Sequence, residues 1–154
     1  MGKEIAYCQM TGKIVFEFQQ GSFSSGTVRY TITWYNGSYY FEGSFSNSFA
    51  DMPPVGFGIS YEEIEELLAV IKPACRWRRK YSPVDEIDDG FGYKLKSRFK
   101  TCSISSEGYE SFPQDYSIII RSFQEKIEDL RLEKNPEIYD YNGRKARIEL
   151  GCQV

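Results

Sequence analysis

The chain has 154 residues, with 19 Lys and Arg against 22 Asp and Glu for a formal net charge of −3, and it contains no histidine. That length fits one domain able to bury a core without disulfides or metal, and a 41% hydrophobic content argues against wholesale disorder. The missing imidazole excludes a Ser-His-Asp or Cys-His catalytic unit and any zinc site that needs histidine, and no apolar run is long enough to span a membrane.

The elements follow in chain order. The start, Met1-Gly2-Lys3-Glu4-Ile5-Ala6, lacks the apolar run of a signal peptide, so the expected location is cytoplasmic. Ile5 to Gln9 reads as a short strand with a turn at Met10-Thr11-Gly12. Ile14, Phe16 and Phe18 then alternate with Val15, Glu17 and Gln19, the pattern of a half-buried strand. The run from Gln20 to Gly26 is expected to be a flexible connection.

Thr27 to Trp34 alternates strictly, with Val28, Tyr30, Ile32 and Trp34 on one side. Asn36-Gly37 follows, the strongest short hairpin signal, because both residues accept positive φ. A two-residue loop there pairs Trp34 with Tyr39, Ile32 with Phe41, Tyr30 with Gly43 and Val28 with Phe45. Both apolar sets then share one face, so turn register and pattern agree. On the opposite face Arg29 falls diagonal to Glu42.

Asp51-Met52-Pro53-Pro54 is expected to break the sheet. Ser60-Tyr61-Glu62-Glu63 is a capping box that opens a helix with the stripe Ile64, Leu67, Leu68 and Ile71, ended by Pro73. Residues 72–90 read as a long polar loop or an irregular edge, and as the best candidate for an internal hinge. Tyr93 to Thr101 is a strand. Ser105 to Ser111 reads as a loop. A second helix starts near Pro113, with Tyr116, Ile119, Ile120, Phe123, Ile127 and Leu130 as its stripe. Ile138 to Tyr141 and Arg144 to Leu150 flank Asn142-Gly143, a second hairpin. The expected fold is a single α+β domain over residues 1–154, an antiparallel sheet built from an N-terminal meander, a basic strand and a C-terminal hairpin, packed against two helices.

Two constellations suggest a docking surface. Lys94, Lys96, Arg98 and Lys100 recur at spacing two, so they project from one side of a single strand over roughly 20 Å. The functional reading is a contact stripe for an acidic protein or a nucleic acid; the alternative is a solvated face or a charged edge that blocks aggregation. Arg76, Trp77, Arg78 and Arg79, continued by Lys80 and Tyr81, form a second cationic run with aromatic residues interleaved. Arg and Trp are common interface anchors. The alternative is that Trp77 packs into the core while the arginines pair with Asp85, Glu86, Asp88 and Asp89.

Other clusters fail on inspection. From Asp85, Ile87 and Lys96 occupy positions where a calcium loop needs oxygen ligands. Glu62, Glu63, Glu65 and Glu66 sit in the opening turns of a helix, where the dipole favours anions. Gly56-Phe57-Gly58 and Gly90-Phe91-Gly92 do not continue into a phosphate-binding pattern. Cys8, Cys75, Cys102 and Cys152 are far apart in sequence; their even number allows two disulfides, but without an export signal they read as free thiols, with Cys8 and Cys102 as small core residues. No cofactor or metal is implied.

The function that this pattern favours is a non-enzymatic protein-binding inhibitor or adaptor. It would occlude another protein, such as a toxin or enzyme, by analogy of type with bacterial immunity proteins and phage anti-defence inhibitors. The alternatives are a nucleic-acid-binding module using the basic strand, which the net negative charge disfavours, and a small enzyme relying on Tyr, Ser, Cys or carboxylates.

Overall fold

The computed structural model describes residues 12–22, 24–46, 51–82 and 90–134, with the side chains of 51–54 excepted. Four strands come first: β1 (Lys13–Ser22), β2 (Gly26–Tyr35), β3 (Ser38–Ser46) and β4 (Asp51–Ile59). Helix α1 (Tyr61–Ile71) runs into a 3₁₀ turn (Lys72–Arg76), then β5 (Lys80–Tyr81), β6 (Gly92–Phe99), β7 (Cys102–Tyr109) and helix α2 (Tyr116–Lys134). The strands form one seven-stranded sheet in the order β4-β3-β2-β1-β6-β7-β5. Every neighbour is antiparallel except the short β5–β7 pair. The fold class is α+β, and among the described residues no helix is long and apolar enough to cross a membrane.

The Asn36-Gly37 turn sets the register of β2 on β3 as its chemistry requires. Asn36 and Gly37 have φ of 53° and 81°, both in the left-handed region of a tight hairpin turn. The pairs Trp34–Tyr39, Ile32–Phe41, Tyr30–Gly43 and Val28–Phe45 all form. Gly43 leaves room for the ring opposite it: a Cβ there would meet Tyr30 Cδ1 at 3.0 Å. Arg29, however, pairs with Glu17 on β1 rather than Glu42 on β3. Its Nε and Nη2 both reach Glu17 Oε2, at 2.8 and 2.7 Å.

Several expected breaks are strands. Pro53 and Pro54 do not end the sheet; they lie in β4, which is an edge strand. The β3–β4 register shifts between Gly43 and Phe45, so the two prolines fall at an irregularity. Residues without an N–H are tolerated at an edge or a bulge. Gln20, Gly21 and Ser22 extend β1 and Gly26 opens β2, which shrinks the expected connection to a tight turn. Residues 105–109 belong to β7, not to a loop. Cys102, Ile104, Ser106 and Gly108 face inward there. The inward serine hid the strand. Its hydroxyl is satisfied by Tyr93 Oη at 2.7 Å and by the Arg78 carbonyl at 2.7 Å, as a buried hydroxyl must be. Within 72–90, the 3₁₀ turn is regular, and the two-residue β5 lies at the edge of the sheet, as the edge alternative expects. The expected strand at residues 5–9 and the C-terminal hairpin lie outside the described residues.

Both helices pack on one face of the sheet. The α1 capping box is complete, with Glu63 N donating to Ser60 Oγ at 3.1 Å and Ser60 N donating to Glu63 Oε1 at 2.9 Å. α1 buries Ile64, Leu67, Leu68 and Ile71, and α2 buries all six residues of its expected stripe. α2 begins at Tyr116, after a turn in which Tyr116 N donates to the Pro113 carbonyl. Phe123 is 1% exposed and meets Phe16, Phe18 and Tyr30 at ring-centre separations of 5.5, 6.0 and 6.2 Å. On α2 Arg131 pairs with Glu128, one turn earlier, at 2.6 Å. With the helices on this inner face, no helix among the described residues covers the opposite one.

Candidate functional site: the outer face of the sheet

The alternation of β6 is complete in the burial pattern. Tyr93, Leu95, Ser97 and Phe99 are buried, and Lys94, Lys96, Arg98 and Lys100 are all exposed. The first three cations stand on the outer face of β6, and Lys100 lies in the two-residue turn that joins β6 to β7. Between strands, Lys94 is flanked by Gln19 on β1 and Glu107 on β7, Lys96 by Glu17 and Ser105, and Arg98 by Ser103 on β7.

None of these four cations takes part in an ion pair among the described residues. The acid nearest in register to Lys96 is Glu17, and Glu17 is engaged by Arg29 from the other side. The intramolecular pair therefore uses the carboxylate that would otherwise quiet the stripe. Lys94 keeps Glu107 as a cross-strand neighbour without a direct ion pair. Like charges spaced along one strand repel each other, and water or an external anion lowers that repulsion.

The second cationic run divides at Arg78. Arg79 and Lys80 reach the outer face, because β5 pairs with β7 and sets Lys80 opposite Glu107. There Arg79, Lys80, Lys94, Lys96, Ser105 and Glu107 line a cleft of about 380 Å³. Lys80, which carries less weight in the sequence pattern, thus belongs with the stripe, as do Ser103, Ser105 and Glu107. The latter three were hidden with β7 itself; the alternation of Cys102 and Ile104 with Ser103 and Ser105 was the signal available.

Arg76, Trp77 and Arg78 are not brought to the stripe. They line a separate cleft of about 520 Å³ with Tyr81, Phe112 and Asp115. Trp77 is half-buried there. Its Nε1 donates to Asp115 Oδ1 at 2.9 Å, and its ring meets Tyr93 and Tyr116 at 5.8 and 5.7 Å. The Arg78 guanidinium sits 5.0 Å from the centre of the Tyr81 ring, a cation–π contact. The acids Asp85 to Asp89 lie outside the described residues. Burial pushes the Tyr93 and Tyr116 hydroxyls above their ordinary pKa values, so both are neutral hydrogen-bonding groups at physiological pH.

Beside the basic cleft the outer face carries a notch of about 470 Å³. Gly21 and Gly92 pair across β1 and β6 in the next outward-facing row beyond Gln19 and Lys94. With no side chains there, the backbone forms a low floor walled by Lys94, Glu107 and Tyr109. The notch and the basic cleft share Lys94 and Glu107.

No protein-family model, curated protein or solved structure matches this chain.

Proposed function

We propose that the chain is a non-enzymatic inhibitor or adaptor of the immunity-protein or anti-defence type, acting in the cytoplasm by laying its outer sheet face over an acidic surface of another protein. The observation that carries this reading is the exposed, unpaired row Lys94, Lys96 and Arg98 on β6, continued by Lys100 and flanked by Lys80 and Arg79. Occlusion would be steric and electrostatic: the flat face excludes water over its contact area, and the cations select the partner's acids and steer encounter.

The same geometry favours a protein over a nucleic acid as the occupant. Single-stranded nucleic acid is held by cations together with aromatic platforms for its bases. Here Trp77, Tyr93, Phe112 and Tyr116 pack on one another away from the stripe. The stripe is instead interleaved with Glu17 and Glu107 and with serines. Such a mosaic suits a protein surface of mixed polarity better than a uniform phosphate backbone.

A photo-crosslinking amino acid placed at Lys96 tests the reading. In lysate of the native host it is expected to capture a protein through an acidic peptide, whereas the same group at Ile118, exposed on α2, captures none of it. Capture of RNA or DNA at Lys96 would replace the reading with the nucleic-acid one. Equal capture at both positions would reject the outer face as the docking surface.

A further inference from the structure

Cys75 and Cys102 are 27 residues apart in sequence, yet their sulfurs lie 3.0 Å from each other. Both are free thiols; Cys75 is exposed in the 3₁₀ turn and Cys102 is buried at the start of β7. A disulfide bond is about 2.05 Å long, so the two sulfurs are separated by about 1 Å more than the bond needs. We propose that this pair is a thiol-modification site for low-molecular-weight disulfides, with Cys75 as the attacking thiol and Cys102 as the resolving one. The inference goes beyond the docking reading and does not depend on it.

The chemistry balances in two exchanges. The Cys75 thiolate attacks one sulfur of a small disulfide RS–SR; the Cys75–SR bond forms, the RS–SR bond breaks, and the first RS⁻ leaves and takes up a proton. The Cys102 sulfur, on losing its proton, then attacks Cys75 Sγ. The Cys75–Cys102 bond forms, the Cys75–SR bond breaks, and the second RS⁻ leaves as RSH. The protein loses two protons and two electrons, and the small disulfide gains them as two thiols.

The surroundings assign the roles. Of the two, Cys75 is exposed to a solute and Cys102 is buried. Burial, then the hydrogen bond with Cys75, pushes the Cys102 thiol up to about 12. While Cys75 is free, Cys102 therefore stays a neutral, packed thiol, shielded from direct attack. The bond would tie the 3₁₀ turn, which leads into Arg79 and Lys80, to the strand that carries Ser103, Ser105 and Glu107. Both walls of the basic cleft would thus be joined by one covalent link.

The test uses the full chain with Cys8→Ser and Cys152→Ser, incubated with oxidised glutathione and mapped as unreduced peptides. The expected result is transient glutathione on Cys75, then a chain lighter by two hydrogens with the Cys75 and Cys102 peptides linked. With Cys75→Ser added, Cys102 is expected to take up no glutathione. Glutathione that stays on Cys75 while Cys102 remains open to alkylation after unfolding would overturn the proposal, and so would two unreacted thiols. If the serine substitutions disturb folding, mapping the unsubstituted chain gives the same decision, since linkage of other cysteines with Cys75 and Cys102 left free is equally contrary.

Discussion

Lys134 Nζ lies 2.8 Å from Glu63 Oε1, and that same oxygen accepts the Ser60 backbone N–H at 2.9 Å. One carboxylate thereby caps the start of α1 and ties it to the end of α2. Burial alone would raise the Glu63 pKa, but the Lys134 hydrogen bond and those with Ser60 outweigh it, and the pKa is lowered. The folded form thus holds its proton less tightly than the unfolded chain. The stabilisation is fully present above the ordinary glutamate value of about 4.3 and is lost as pH falls below it, through the folded-state value. Glu63→Gln keeps the capping box, so it is expected to cost only about 0.5 kcal/mol at neutral pH through loss of the Lys134 ion pair, and to flatten the loss of stability on acidification below about pH 4. Denaturant titrations at several pH values check this. An unaltered pH profile in the variant would show that other carboxylates govern acid sensitivity.

Phe123 joins α2 to the two central strands β1 and β2 through three ring contacts. Phe123→Ala is expected to cost about 3–5 kcal/mol, measured as a lower denaturation midpoint. A loss under about 1 kcal/mol would mean that the helix layer does not rest on this ring.

At the β2–β3 turn, a Cβ added to Gly37 would meet nothing within 4 Å, yet its φ is 81°. The cost of a side chain is therefore conformational rather than steric. Gly37→Val is expected to lose about 1–2 kcal/mol, whereas Gly37→Asn loses only part of that because Asn tolerates the left-handed region. Thermal melts of both variants check the ranking; equal losses would contradict a left-handed residue at this position.

Oxidation of the Cys75–Cys102 pair would close a long loop in the unfolded chain. The linked form is expected to be more stable than the reduced form by about 3–4 kcal/mol, read from denaturant midpoints with and without reductant. A lower midpoint after oxidation would mean that the bond strains the turn.

Where sequence pattern and local chemistry pointed the same way, the structure follows them. The Asn36-Gly37 register, the Ser60–Glu63 box, the stripes of both helices and the alternation of β6 were all legible, because each is set by period or by a few adjacent residues. What escaped was set by distant neighbours. β7 carries Ser106 in an inward row, a polar residue that only the Tyr93 hydroxyl and the Arg78 carbonyl make acceptable. β4 tolerates Pro53 and Pro54 only because it is an edge, and sequence does not reveal strand order. Arg29 chose Glu17 over Glu42 because β1, not β3 alone, adjoins β2.

The candidate site was readable to the same degree. The period of two placed Lys94, Lys96 and Arg98 on one face. The split of the 76–80 run depends on β5 pairing in parallel with β7, a two-residue contact with no local signal. The meeting of Cys75 with Cys102 is likewise a product of packing between the 3₁₀ turn and β7.

The most direct test of the docking face is affinity capture from the native host with three forms of the chain: unsubstituted, Lys96→Glu/Arg98→Glu, and Arg78→Glu. Arg78→Glu should keep its stability within about 0.5 kcal/mol, since the side chain is exposed, and Lys96→Glu/Arg98→Glu should lose about 1 kcal/mol, because position 96 faces Glu17 across β1. The predicted result is a protein partner retained by the unsubstituted and Arg78→Glu chains, released by added salt, and lost from Lys96→Glu/Arg98→Glu. Undiminished recovery on the doubly reversed chain would contradict the account.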